Sequence, residues 1–192
     1  MSPFADREKQ LLLALARRAL TAGVVEGKFI EDFPEDGILG SLGGAFVALH
    51  YCGKLRGCVG QLPSRETLGT VVAHCAAAAA LDDPRFKPVL PQELADIEIE
   101  ISVLSPLENL TVEEISAGTI EPGKHGLVVS KGQKRGVLLP QVAANFNWQG
   151  LRFLEETCVK AGLAIDAWKD PQTRVETFTA EVFSESIVKS GR

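Results

Sequence analysis

The run Ile97–Leu104, IEIEISVL, alternates strictly, with Ile97, Ile99, Ile101 and Val103 on one side and Glu98, Glu100 and Ser102 on the other. A period of two makes it a strand with one wet face, the arrangement that antiparallel sheets allow. Such a sheet needs apolar cover, and two stretches with helical spacing supply it. The first, capped by Asp6 and running to about Ala22 before Gly23, carries Leu12, Leu15, Ala16, Ala19 and Leu20. The second, introduced by Pro63 and Ser64, carries Leu68, Val71, Val72, Cys75, Ala76 and Ala79. Both periods in one chain predict an α+β fold, an antiparallel sheet with flanking helices.

Gly44 to Pro63, GAFVALHYCGKLRGCVGQLP, predicts the neighbouring hairpin. Two β-prone runs flank Gly53-Lys54, a pair that suits a two-residue turn with glycine first. This turn sets Tyr51 opposite Arg56 and Leu49 opposite Cys58, so that a guanidinium neighbours a thiol. A free thiol titrates near about 8.5 and is mostly protonated at neutral pH. A cation about 4 Å away contributes up to about 4 kcal/mol toward the thiolate at an effective dielectric of about 20, whereas burial acts in the opposite direction. Cys58 and Arg56 are therefore the candidate catalytic pair. Gly57 and Gly60 flank the thiol without side chains, as expected where a ligand or a second backbone comes close. The alternative is a packed cysteine, with Arg56 holding a carboxylate elsewhere.

Composition excludes several classes. Across 192 residues, a formal charge of -5 opposes general phosphate-backbone binding. The four cysteines, at 52, 58, 75 and 158, form no CxxC pair, and the histidines at 50, 74 and 125 belong to no HExxH motif. No metal-ligand set and no cofactor is identifiable, and this cysteine usage suits a reducing cytoplasm. The LLLALA run near the start is too short for a membrane span.

Downstream, the alanine run 76–80 permits close approach of another element, and Cys75 falls on the apolar stripe. Thr111 and Glu114 form a capping box. GLVVSK and RGVLLP predict a second hairpin, and Pro140 opens a helical region in which Cys158 belongs to the stripe. Thr173 to Phe183 predicts a last strand. Glu98 and Glu100, at i and i+2, are solvated residues unless their face lines a cleft. His125 is open to three roles: base, ligand or hydrogen-bonded loop residue.

LRGCVG resembles the LRGCIG signature of the AMMECR-type domain, component A of the AmmeMemoRadiSam system. DDPRF at Asp82–Phe86, IEIEISVLSPL at Ile97–Leu107, KHGLVV at Lys124–Val129, LLPQV at Leu138–Val142 and FLEETCVKAGL at Phe153–Leu163 match in order. Val59 replaces the isoleucine of the signature, and Ala48 stands where threonine is common. The resemblance covers nearly the whole chain as one domain. It implies a larger antiparallel-sheet lobe, a smaller α/β lobe at about 106–165, a cleft between them, and a return of 166–183 to the larger lobe. It makes Asp83, Arg85 and Phe86 a candidate ligand edge beside Gly57, Gly60, Glu100 and His125. It also implies an accessory protein that binds a partner or substrate beside a Memo-like, dioxygenase-type protein and a radical-SAM enzyme. The chain lacks the CxxxCxxC pattern of the latter. The competing readings are a stand-alone thiol enzyme using Cys58 activated by Arg56, and an RNA-binding module, which the acidic composition opposes.

Overall fold

A computed structural model describes residues 4–186, which divide into two compact units. The first comprises 4–104 and 181–186, the second Ser105–Ala180. The chain thus re-enters the first unit at Glu181, later than the sequence reading of 166.

In the first unit, α1 (Asp6–Glu26), α2 (Gly37–Gly40) and α3 (Leu68–Leu81) accompany β1 (Gly44–Tyr51), β2 (Lys54–Gln61) and β3 (Ile97–Leu104). β1 is central, pairing antiparallel with β2 on one side and β3 on the other. Val47, Leu49, Ile99 and Ile101, all 0% exposed, point from one face into a core that includes Leu12, Leu20, Val71 and Val72. The predicted alternation of β3 thus delivers its aliphatics to the helices. Three helix limits differ from the sequence reading. Asp6 is the first residue of α1 and not its cap, which is Ala5, whose N–H donates to the Glu8 carboxylate at 2.8 Å. α1 passes through Gly23 and ends at Gly27, whose φ of 65° is the left-handed cap. Gly23 sits inside the helix, where an added Cβ would lie 3.1 Å from the Ala77 Cβ. The alanine run of α3 is therefore a seat for α1. The cap of α3 is Thr67 rather than Ser64, with the Thr67 hydroxyl accepting from Thr70 N–H.

The second unit holds β4 (Glu108–Asn109), α4 (Val112–Ser116), β5 (His125–Lys131), β6 (Lys134–Leu138), α5 (Pro140–Asn145) and α6 (Gly150–Lys160). β7 (Arg174–Ser184) contributes its first part here, pairing antiparallel with β4 and β5, and its last residues to the first unit. Leu127, Val129, Phe153, Leu154 and Cys158 form this unit's own core. The Thr111–Glu114 capping box is present, with Thr111 N–H donating to the Glu114 carboxylate at 2.8 Å. No helix of the described residues is long and apolar enough to cross a membrane.

Candidate functional site

The hairpin of β1 and β2 forms, but its turn is Cys52-Gly53 rather than Gly53-Lys54. Both residues have positive φ, 50° and 73°, as a type I′ turn requires. Tyr51 consequently pairs with Lys54 and His50 with Leu55. A bulge then leaves Arg56 without a partner, after which Leu49 pairs with Gly57 and Ala48 with Cys58. The net slip from the expected pairing is one residue, and it moves Cys58 to the opposite face. The thiol lies beside Ala48, away from the core that Leu49 enters.

The Arg56 guanidinium is engaged with partners other than Cys58. Its Nε and Nη2 donate to the two Glu93 carboxylate oxygens at 2.8 and 3.0 Å, and further N–H groups donate to the carbonyls of Lys87 and Pro88. This is a two-pronged ion pair with both side chains about one-sixth exposed. The carboxylate sits in a 3₁₀ turn, Pro91–Glu93, 37 residues along the chain.

The guanidinium near Cys58 belongs to Arg85. Asp83, 5% exposed, accepts the Cys58 backbone N–H at 2.8 Å and binds Arg85 through both oxygens. Arg85 in turn donates to the Cys58 carbonyl at 3.4 Å. The bonds from Arg85 hold the Asp83 carboxyl well below the usual carboxylate range. Burial is the largest influence on the Cys58 thiol and pushes its pKa up; Arg85 opposes this, while Asp83 and Glu100 reinforce it. Phe86 completes the loop, its ring 5.5 Å from the Arg85 guanidinium carbon.

The other cysteines are distinguished by burial. Cys75 and Cys158 are core residues, burial pushing Cys75 up to about 12 and raising Cys158 as well. Cys52 is exposed at the turn.

The glycines beside Cys58 make room for protein groups. A Cβ on Gly57 would lie 2.0 Å from the Ala79 carbonyl oxygen of α3, and one on Gly60 would lie 2.1 Å from the Phe46 ring. Glu100 shares a row with the thiol, since Ala48 pairs with Cys58 on one side and Glu100 on the other. His125 lies in the second unit, where its Nδ1 accepts the Glu121 N–H at 3.1 Å.

Sequence reasoning overlooked two residues of this face, Phe46 and His50. The available signal was the alternation Phe46, Ala48, His50 along β1, opposite in phase to Ala45, Val47 and Leu49. His50 pairs directly with Glu98, whose carboxylate accepts from Ser184 at 2.8 Å and from Ser186. The Ser186 and Ser184 hydroxyls lower the Glu98 pKa. Among the described residues, no group of three His, Cys, Asp or Glu is placed to hold a metal ion.

Comparison with known proteins places this geometry in a wider set. A protein of Methanothermobacter thermautotrophicus is 40% identical, over 96% of this chain and 97% of its own length. Protein TK0174 of Thermococcus kodakarensis is 42% identical, over 94% of this chain and 91% of its own. The crystal structure of the uncharacterized protein PH0010 from Pyrococcus horikoshii superposes with a TM-score of 0.84 at 38% identity, covering 97% of this chain and 95% of that one. The AMMECR1 family profile matches residues 13–183, spanning both compact units, and the chain belongs to the AMMECR1 family.

Proposed function

We propose that this protein is an accessory, partner-binding component of a cytoplasmic AmmeMemoRadiSam-like system, acting beside a Memo-like protein and a radical-SAM enzyme. The observation that carries the accessory reading is the commitment of Arg56 to Glu93, together with a Cys58 thiol whose pKa burial pushes up. Neither fits an activated nucleophile. The surface offered to a partner is the hairpin and the loop that follows α3. Leu55 and Leu90, 41% and 51% exposed, lie on segments that the Arg56 guanidinium ties together, and the Arg85 side chain is 56% exposed nearby. Exposed aliphatics around an arginine are the usual ingredients of a protein contact.

Affinity capture from the native host tests this, with wild type compared with Leu55→Asp and Leu90→Asp. These side chains face solvent, so the variants keep the fold. Recovery of a Memo-like or radical-SAM protein with wild type, and its loss with either variant, supports the accessory reading. Recovery of a metabolite chemically changed by the chain alone, and abolished by Cys58→Ser, favours the stand-alone thiol enzyme. Steeply salt-dependent binding to unrelated RNA sequences favours the nucleic-acid module.

A further inference from the structure

α1 carries a second stripe beside the buried one. Leu12, Leu15, Ala16, Ala19 and Leu20 face the core, whereas Arg7, Leu11, Ala14 and Arg18, at i, i+4, i+7 and i+11, share a neighbouring arc and are all exposed. The connection from α1 to β1 returns past this arc, and a cavity of about 560 Å³ lies between the two. Leu11, Ala14 and Leu15 are its floor, and Phe33, Pro34 and Ile38 are its walls. Aliphatic and aromatic walls with a few polar groups around a space of this size are the usual form of a small-molecule site. Leu11 remains 45% exposed on the floor, so the fold of the chain leaves this apolar surface unfilled.

Four charged side chains reach the cavity, Arg7, Glu8, Arg18 and Asp36. Glu8 is used within the helix, its carboxylate accepting the Ala5 N–H at 2.8 Å beside the positive end of α1. Arg7 adjoins it, and about 15 Å of helix rise separates Glu8 from Arg18 at the other end of the stripe. Arg18 donates through Nη2 to the Asp32 carbonyl, which anchors the guanidinium just before Phe33 in the wall. It has no carboxylate partner among the described residues, whereas Arg17, Arg56 and Arg85 in the same unit are each bound to one. Asp36 heads α2 and pairs with neither arginine of the cavity. Arg18 is therefore an anchored cation without a counter-ion at the edge of an apolar space.

We propose that this cavity binds a small carboxylic acid with an apolar body, Arg18 receiving the carboxylate while Leu11, Ala14 and Phe33 enclose the body. The guanidinium fork matches a carboxylate in shape and charge, and the bond to Asp32 spends only one of its donors while holding it in place. A neutral apolar molecule would leave the remaining donors unused, and an amine without an acid group would meet two arginines. The volume suits a small molecule, since a stable protein contact needs roughly 20–30 residues a side. The inference is separate from the partner-binding proposal, because it uses α1 and the connection after it and not Leu55, Leu90 or the loop after α3.

The probe is 4-phenylbutyrate, with 4-phenylbutanamide as the uncharged shape and acetate as the carboxylate without a body, titrated at about pH 7 and followed by backbone amide shifts in NMR spectra. Saturable binding of 4-phenylbutyrate at about 1 mM or tighter is expected, with both controls at least about tenfold weaker and the largest shifts at Leu11, Ala14, Leu15 and Ile38. Arg18→Met, which keeps the stem and removes the charge, weakens the acid at least about tenfold. Ala14→Leu fills the floor from an exposed helical position that accepts leucine, leaves the Arg18 contact to Asp32 in place, and weakens the acid by a similar factor. Unchanged thermal midpoints in the two variants show that the site and not the fold was altered, and Leu55→Asp binds the acid as wild type does. Four results overturn the proposal: equal binding of the acid and its amide, wild-type affinity in folded Arg18→Met or Ala14→Leu, shifts concentrated away from α1, or no binding at about 10 mM acid. Tighter binding of phenylalanine than of 4-phenylbutyrate would also overturn it, by giving Asp36 a ligand ammonium to hold.

Discussion

The Asp83 carboxylate grips Cys58 by its backbone and not its sulfur, accepting the amide N–H at 2.8 Å while its partner Arg85 reaches the Cys58 carbonyl. Position 58 is thereby fixed in space independently of any reaction of its thiol. The strength of that grip is measurable through acid titration. A carboxyl whose folded pKa is depressed contributes stability above its unfolded value, near about 3.9, and loses that contribution as the pH falls toward the folded value. Asp83→Asn is expected to lower stability by about 1–3 kcal/mol at neutral pH. The deficit relative to wild type should hold down to about pH 5 and shrink below about pH 4. Urea unfolding of both proteins at several pH values checks this, and a deficit that does not vary with pH contradicts an ionised Asp83.

Thiol reactivity should follow exposure first and Arg85 second. Site-resolved alkylation at neutral pH is expected to modify Cys52 fastest, Cys58 more slowly, and Cys75 and Cys158 last. Arg85→Ala raises the pKa of Cys58 further by removing the one favourable charge, and slows its alkylation. Arg56→Ala leaves the Cys58 rate near that of wild type at pH values where both proteins are folded. A larger effect from Arg56 than from Arg85 would reinstate the pairing expected from the sequence.

The ion pair of Arg56 with Glu93 should be visible as coupling. Arg56→Ala is expected to cost about 2–3 kcal/mol, because it leaves a mostly covered carboxylate and two carbonyls without their donor. In a double-mutant cycle with Glu93→Gln, a coupling energy of about 1 kcal/mol or more is the expected result. Simple additivity of the two substitutions would refute it.

Gly57→Ala and Gly60→Ala should differ although both occupy the same strand. At Gly57 the new methyl meets the backbone of α3, which moves only with the helix, and a loss of about 3 kcal/mol is expected. At Gly60 it meets the Phe46 ring, which can rotate away, and about 1–2 kcal/mol is expected. Thermal melts of the two variants decide the order.

The elements were legible because their information is local. The alternation of Ile97 to Val103 and the stripe of Leu68 to Ala79 each fix an element and its buried side without reference to the rest of the chain. Register was not legible in the same way. Gly53 permits a turn with glycine in either central position, and the choice rests on Cys52 accepting a left-handed backbone, which cysteine seldom does. The bulge at Arg56 adds a second undetermined step. Together they invert the side of Cys58, so LRGCVG was recognisable as a motif while its contacts were not. The partner of Arg56 was hidden for another reason: Glu93 is one carboxylate among many, and only the folded loop brings it within reach. His50 was passed over because its alternation with Phe46 and Ala48 tells only which face it takes, and its buried, unpartnered nitrogen exists only once the strands are paired.

Among the described residues, β2 has a strand on one side only, its neighbour β1. An outermost strand with free amides and carbonyls is a template on which another chain can add itself, the first step of runaway self-association. At Cys58 the Asp83 and Arg85 side chains take the hydrogen bonds that such an intruding strand would need. The same loop therefore blocks the sheet margin at position 58 against an added strand, and because the Asp83 carboxyl is held so far below the usual carboxylate range, that block outlasts the protonation of ordinary carboxylates as the pH falls.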